Sequence, residues 1–309
     1  MEIVHYSINE EFPKIEPYAA CIGYFDGFHI GHMGLVDETL DIARRKGIKS
    51  AVITFDPDPW VVLKKIDRPI HLTTMQDRMI IASQKGIDYW IAIRFDETLA
   101  HLPHEVFSDK LAATPLVALV SGFDFTYGDK GSGNVATLKQ EAKGRFDVIE
   151  ILPITYEGQK ISTTRINQLI DDGKIADANR LLGRIYTLSG IVVGGRRIGR
   201  KMGFPTANLA VDSEYRIPRI GVYAGRVEVE GVWYDAMISV GSNPTVTQER
   251  SISIEANLFD FDRDIYDQTV KFEFHQYQRD EVKFSSLEEL IATIREDEVA
   301  CRAYLRGNR

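Results

Sequence analysis

Apolar positions in the first 184 residues fall in short, almost unbroken runs, separated by stretches whose apolar residues recur every three or four positions. Runs of the first kind are strands covered on both faces and stretches of the second kind are helices crossing over them. This half therefore reads as an open, doubly wound parallel sheet of the α/β class. The predicted strands are Tyr18 to Tyr24, Lys49 to Phe55, Tyr89 to Phe95 and Val117 to Gly122. Between the first two, Met33 to Lys46 sets Leu35, Val36, Leu40 and Ile42 on one helical stripe, and Gly47 is placed to end it. After Gly183 the rhythm becomes near-alternating over Thr187 to Val193, Val222 to Val229, Val232 to Val240, Ser251 to Phe259 and Thr269 to Tyr277, with Glu230-Gly231 as a hairpin turn. That pattern predicts a small antiparallel β-barrel or sandwich. Ser286-Leu287-Glu288-Glu289 reads as a capping box opening a last helix, with Leu287, Leu290, Ile291 and Ile294 at helical spacing. Domains 1–184 and 185–309 are expected, joined through a helical segment at Lys174 to Leu182.

Composition agrees with this division. The 309 residues suffice for two domains of about 150 each, large enough to bury cores without disulfide or metal staples. With 44% apolar and 27% charged residues the chain is globular, and 24 Gly and 11 Pro are too few for a collagen-like or low-complexity one. Acidic side chains number 45 against 37 basic, a formal charge of −8. The overall field repels nucleic acid and anionic membranes, so an anionic substrate needs a local basic pocket. Cys21 and Cys301, one in each half, make neither a disulfide framework nor a zinc signature, which suits a reducing cytoplasm. The start carries acid where a signal peptide carries base, so export is not expected, and no apolar run reaches the roughly 18 residues that span a bilayer. A cytoplasmic chain without nucleic-acid or membrane partners is expected; the pattern sets no oligomeric state.

The densest chemistry of the first half is Gly23-Tyr24-Phe25-Asp26-Gly27-Phe28-His29-Ile30-Gly31-His32, at the passage from a predicted strand to a predicted helix. Phosphates bind α/β sheets at such junctions, where glycines let the backbone approach and the helix start offers unpaired N–H groups. His29 and His32, three apart, aim two imidazoles at one point. A Gly-rich turn with two exposed histidines has the same pattern, and a zinc pair lacks the further ligands of a tetrahedral set. Downstream, Phe125 and Tyr127 are either faces for a flat ring or part of the core. Ser162, Thr163 and Thr164 are helix caps or hydroxyl donors to phosphate.

In the second half, Gly194-Gly195-Arg196-Arg197-Ile198-Gly199-Arg200-Lys201 is the densest basic segment of an acidic chain but lacks the Gly-Lys-Ser/Thr ending of a P-loop. It is a solvated turn or the charge of a nucleotide site. In the following Gly203-Phe204-Pro205-Thr206-Ala207-Asn208-Leu209, a hydroxyl and a carboxamide two residues apart share one face of an extended chain. Hard oxygens so placed suit Mg2+, and a turn is the plain alternative.

In order along the chain these segments resemble two known families. The His-x-Gly-His signature resembles the nucleotidyltransferase superfamily. With Phe25-Asp26-Gly27 it is similar, more narrowly, to the adenylyltransferase domain of bacterial bifunctional riboflavin kinase and FAD synthetase. Gly122-Phe123-Asp124-Phe125-Thr126-Tyr127-Gly128, with Gly131 and Gly133, and Ile161-Ser162-Thr163-Thr164-Arg165-Ile166 resemble the same domain. Pro205-Thr206-Ala207-Asn208, Gly221-Val222-Tyr223, Gly241 to Thr245, Ser253 to Leu258 and Arg279 to Phe284 resemble riboflavin kinases.

The resemblance implies a nucleotidyltransferase-like domain followed by a kinase barrel. It implies that riboflavin and ATP give FMN, that FMN and a second ATP give FAD and pyrophosphate, and that Mg2+ assists. By residue, it implies His29 and His32 as catalytic, with Gly23, Phe25, Asp26, Gly31, Ser162, Thr163, Thr164 and Arg165 around ATP in the first domain. Gly199, Lys201, Gly203 and Pro205 hold ATP in the second, Asp124, Phe125, Tyr127 and Arg279 meet flavin, Thr206 and Asn208 hold the metal, and Glu255 is the base. Three positions depart: Asp58 where the family shows His in a Thr-Phe-x-Pro-His-Pro segment, Asn167 where it shows Arg, and Asp267 where it shows Gly. The first two each remove a cation from a phosphate-handling site. A kinase with impaired adenylyl transfer, or a flavin sensor without turnover, therefore stays open beside the bifunctional reading.

Overall fold

Strands that are apolar at every position need cover on both faces, and those at the middle of the first sheet have it. The computed structural model describes residues 1–194, 204–244 and 250–307, arranged as two compact units, Met1–Thr163 and Thr164–Arg309. Gly199, Lys201, Gly203 and Thr245, with the basic run from Gly195, lie outside the described residues.

The first unit is a six-stranded sheet in the order β1-β4-β3-β2-β5-β6, with β1 Glu2–Tyr6, β2 Tyr18–Ile22, β3 Lys49–Asp56, β4 Tyr89–Arg94, β5 Leu116–Gly122 and β6 Asp147–Ile151, every pair parallel. All five residues of β2 are buried. Helix α1, Ile30–Lys46, follows β2 and buries Leu35, Val36, Thr39 and Ile42; Gly47 closes it in the left-handed region. Three further helices are α2 Met75–Gln84, α3 His104–Ala112 and α4 Val135–Ala142. From β2 the chain winds through β3 and β4 to one side, and β5 and β6 lie on the other. The order therefore reverses between β2 and β5, where open α/β sheets bind ligands at the carboxyl ends of their strands.

The second unit opens with helices α5 Thr163–Asp171 and α6 Ile175–Leu182. They pack with the barrel: Asn179 on α6 donates to the Phe274 carbonyl at 2.8 Å and accepts the Tyr186 amide at 2.7 Å. The division between units consequently falls earlier than the expected 184/185. The strands close into a barrel in the order β7-β8-β11-β10-β9-β12, with β7 Tyr186–Val193, β8 Ala207–Val211, β9 Gly221–Val229, β10 Val232–Pro244, β11 Arg250–Leu258 and β12 Thr269–Arg279. Of the two expected antiparallel forms it is the barrel.

Glu230 and Gly231, at φ 51° and 82°, make the two-residue turn between β9 and β10, the form whose twist matches paired strands. Helix α7, Leu287–Gly307, closes the chain with Cys301 and Leu305 against Ala224 and Phe259. Its capping box is offset by one residue: Ser286 accepts the Glu289 amide, but the Glu289 carboxylate reaches back to Ser285.

Candidate functional site

The turn after β2 is bent by positive φ at Phe25 (58°), Gly27 (76°) and Phe28 (37°), and it delivers His29 as the N-cap of α1. His29 Nδ1 accepts the His32 amide at 3.2 Å, and the two imidazoles stack with centroids 3.6 Å apart at 16°. Gly31 permits this, because a β-carbon there would lie 3.0 Å from His29 Cε1 and Nδ1. The histidines thus meet at the start of a helix, beside the strand-order reversal. Neither is a freely exposed surface residue: His29 is buried and His32 is partly so.

Other predicted residues of this turn have different duties. Phe25 is in the core, stacked on Phe28 and edge-on to His32, so its ring supports the imidazole from beneath and offers no face to a nucleotide. The Asp26 carboxylate is taken up inside the protein: it accepts the Leu72 amide at 2.9 Å, the Thr73 amide at 3.1 Å and the Thr73 hydroxyl at 3.2 Å. It ties the turn to segment 71–73, and Thr73 Oγ1 accepts the Gly27 amide in return. Gly23 packs over the Phe25 ring. From the other motif, Thr163 Oγ1 donates to the Asp26 carbonyl at 3.2 Å, and the Ile161 carbonyl lies 3.6 Å from where a Gly31 β-carbon would stand. Ser162 is partly buried just before α5, and Thr164 and Arg165 occupy its first turn.

The loop after β5 lies across the same sheet reversal. Phe125 is partly accessible and Asp124 is exposed, paired to Lys160. Tyr127 is a correction: its ring is buried between Phe107 and Phe125, and its hydroxyl donates to Glu141 at 2.8 Å, leaving no face for a flavin. Burial opposes ionisation of Glu141, but hydrogen bonds from Ser108, Tyr127 and His104 outweigh it and hold the carboxyl below its ordinary value. The exposed ring of this loop is Phe123, 39% accessible with Lys160 Nζ 4.7 Å above it; it stands inside the Gly122-to-Gly128 motif, which gave no reason to prefer it to Phe125 and Tyr127.

In the barrel, β8 carries Asn208 opposite Glu255 of β11, and Thr206 Oγ1, just before β8, donates to Glu255 Oε2 at 3.2 Å. The hydroxyl and carboxamide paired by strand spacing thus stand beside Glu255, which the resemblance and not the spacing brought forward. Asn257, which the sequence did not single out, donates to the Pro205 carbonyl at 2.8 Å and anchors the Pro-Thr turn.

Two cavities meet at Thr206. One, of about 280 Å³, is lined by Glu255, Asn257 and Arg279 with apolar walls from Met237, Leu290 and Ile294. The other, of about 390 Å³, is lined by Val192, Leu258, Arg263, Ile265 and Tyr266. Arg279 is held at the wall of the first by Asp297, which accepts its Nη2 at 2.6 Å and its Nε at 2.9 Å.

The FAD synthetase profile matches residues 12–165 and the riboflavin kinase profile residues 182–305. The bifunctional riboflavin kinase/FMN adenylyltransferase of Listeria monocytogenes is 38% identical over 304 residues, 97% of this chain and 96% of that protein. The Bacillus subtilis enzyme of the same name is 35% identical over 309 residues, 99% and 97% of the two chains. A crystal structure from Streptococcus pneumoniae titled as a macrolide-efflux protein is 31% identical with a TM-score of 0.88, covering 97% of this chain and 99% of that one. Among the described residues no helix is long and apolar enough to cross a membrane. Matched in both halves and over nearly its full length, the chain belongs to the bifunctional riboflavin kinase/FMN adenylyltransferase family.

Proposed function

We propose that this chain makes FMN in its barrel unit and converts FMN to FAD in its sheet unit, using ATP with Mg2+ in both steps. The assembled Thr206, Asn208 and Glu255 at the meeting of two cavities carry the first half of the reading. The apolar cavity takes the isoalloxazine ring and the larger one takes the nucleotide, so both substrates reach Thr206. There the riboflavin 5′-oxygen attacks the γ-phosphorus, the bond to the bridging oxygen of ADP breaks, and Glu255 accepts the hydroxyl proton. Thr206 and Asn208 fit Mg2+ as neutral hard-oxygen donors beside a carboxylate; a bound ion would neutralise phosphate charge.

In the sheet unit an FMN phosphate oxygen attacks the α-phosphorus of ATP and pyrophosphate leaves, so the reaction needs no protein nucleophile. His29 and His32 stabilise the charge that builds on the α-phosphate, and the start of α1 adds its N–H groups. Asp26 and Thr163 hold the turn that presents them. Functionally the boundary is set at 184/185, with α5 and α6 serving the adenylyl half in sequence and the barrel in packing. The two buried thiols fit a cytoplasmic enzyme.

The test is direct: purified chain is incubated with riboflavin and MgATP, and the flavins are separated. FMN and FAD together support the reading. FMN alone makes the chain a monofunctional kinase, and bound but unconverted riboflavin makes it a sensor.

A further inference from the structure

Asp58 stands where the family pattern has an imidazole, and the fold brings an imidazole to it from another segment. Asp58 Oδ2 lies 2.6 Å from His71 Nε2, with side chains 4% and 6% exposed, the most buried carboxylate–imidazole contact among the described residues. Asp58 Oδ1 accepts the Trp60 amide at 2.7 Å, and the Tyr24 hydroxyl lies 2.9 Å from the same His71 nitrogen. Arg78, 1% exposed, donates Nη1 to the Tyr24 carbonyl at 2.9 Å and Nη2 to the Tyr24 hydroxyl at 3.2 Å, with its guanidinium 4.3 Å over the Tyr24 ring. Tyr24 is the residue that leads from Gly23 into the turn ending at His29. One hydrogen-bonded chain therefore runs from the end of β3 through segment 71–73 to the backbone that carries the imidazole pair.

Two features set this chain apart from ordinary packing. His71 Nδ1 is buried and has no hydrogen-bond partner. A proton on that nitrogen would be an unsatisfied donor, so the ring's hydrogen-bonding proton sits on Nε2, where it is shared between Asp58 Oδ2 at 2.6 Å and the Tyr24 hydroxyl at 2.9 Å. Burial opposes the charge on Asp58, yet hydrogen bonds from His71 and the Trp60 amide hold its carboxyl below the ordinary value, so it stays an ionised acceptor. Secondly, a buried acid–base pair is a poor route to stability, since apolar residues of similar volume usually serve as well or better. Such a pair next to a reaction centre contributes orientation.

We propose that Asp58 and His71 are a positioning couple for adenylyl transfer: they orient Tyr24, and Tyr24 with Arg78 fixes the turn that presents His29 and His32. The proposal rests on the reading that the sheet unit transfers AMP. The imidazole missing from position 58 is thereby supplied from position 71, and Asp58 is its partner.

The test uses the full chain, with FMN formation as the control for the barrel unit and thermal unfolding reporting the fold of the sheet unit. His71→Leu should lower kcat for FAD formation about ten-fold, with KM for FMN near the wild-type value, because a small displacement of reacting groups acts on rate. His71→Gln restores an N–H donor toward Asp58 and should recover most of the rate. The double variant Asp58→Leu/His71→Leu decides between orientation and scaffold. It removes the buried carboxylate but also the acceptor of the Trp60 amide, so its first thermal transition should stay within a few degrees of wild type while FAD formation stays slow. Wild-type FAD formation by that double variant, or by His71→Leu, overturns the proposal while leaving the adenylyl reading intact. A wild-type chain that makes FMN but no FAD overturns the adenylyl reading itself, and the couple's role with it.

Discussion

Replacing Gly31 with alanine separates stability from catalysis in a way that few substitutions at this turn can. The backbone at Gly31 is not in the left-handed region, so alanine can follow the helix, and by intrinsic propensity it is favoured over glycine by up to about 1 kcal/mol. Against this, the new methyl would lie 3.0 Å from His29 Cε1 and Nδ1 and 3.6 Å from the Ile161 carbonyl. Ordinary contact for carbon begins at about 3.5 Å, so an overlap of about half an ångström must be relieved, and overpacking of this sort costs about 1–3 kcal/mol when nothing yields. The His29 side chain is the party able to yield, since the other wall is backbone. If it does, the two stability terms cancel to within about 1 kcal/mol, while the imidazole leaves its 3.6 Å stack on His32. A misplacement of about 1 Å can cost a hundred-fold in rate, so half of that should lower FAD formation about ten-fold. Flavin separation after incubation with FMN and MgATP measures it, with FMN formation from riboflavin as the control and thermal unfolding alongside. A Gly31→Ala chain that makes FAD at the wild-type rate would refute the placement of His29 in the reaction.

The same assays reach other residues. Glu255→Gln should cut FMN formation by about 10²–10⁴-fold, the usual worth of a general base, and leave adenylylation of supplied FMN unchanged; equal loss of both would sink the assignment. Asp26→Ala strands the Leu72 and Thr73 amides and should destabilise the sheet unit by about 2–4 kcal/mol, seen as an earlier first transition in thermal unfolding. Asp58 has a folded pKa below its unfolded value, so its contribution is complete above about pH 3.9 and is lost as pH falls through the lower folded value. Asp58→Asn should therefore flatten the acid side of the Tm-versus-pH curve and leave its neutral part with the same slope. Cys21 and Cys301, both buried with thiols pushed up to about 12 by burial, should react with a thiol reagent at pH 8 only after unfolding; prompt labelling of the native chain contradicts their placement.

What the sequence reveals and what it hides have a common physical origin. The central strands β2, β3 and β4 are legible because cover on both faces makes them continuous apolar runs. The edge strands β1 and β6 pass unnoticed: each is five residues long and partly exposed, so little apolar signal remains. Local chemistry is legible in the same way. His29 and His32 are joined by helical spacing, and Thr206 and Asn208 by strand spacing, so neighbours in the sequence predict neighbours in space. Contacts between distant segments are not. Thr206 and Glu255 are 49 residues apart, and only their separate motifs brought both forward. Asp58 and His71 are separated by one short helical turn, Pro59–Leu63, and an irregular stretch, too little periodicity to pair them, so Asp58 reads as a missing cation until the fold sets an imidazole beside it. Aromatic residues mislead for another reason. Hydrophobicity is the same for a ring that packs and a ring that binds, so Phe125 and Tyr127 are named together although Tyr127 is buried and Phe123 is the more exposed ring.

On the proposed reading, the barrel's two cavities also give its reaction a direction. A base that takes the proton of an attacking hydroxyl has to lie on the acceptor's side of the transferring phosphorus, and Glu255 lines the smaller cavity, not the larger. The smaller one has the walls a flat, largely apolar ring requires, with Met237, Leu290 and Ile294 contributed by a strand and the closing helix. The larger contains Arg263 and Tyr266, a cation and a phenol suited to a nucleotide. Thr206 belongs to both, so the phosphoryl group need only cross the space in front of one hydroxyl. On the same reading Pro205 and Asn257 serve without doing chemistry: the Asn257 amide on the Pro205 carbonyl fixes the turn that carries the residue shared by both cavities. On that reading charge neutralisation would come from a divalent ion held by the oxygen donors at the join, since the donors themselves are neutral or anionic.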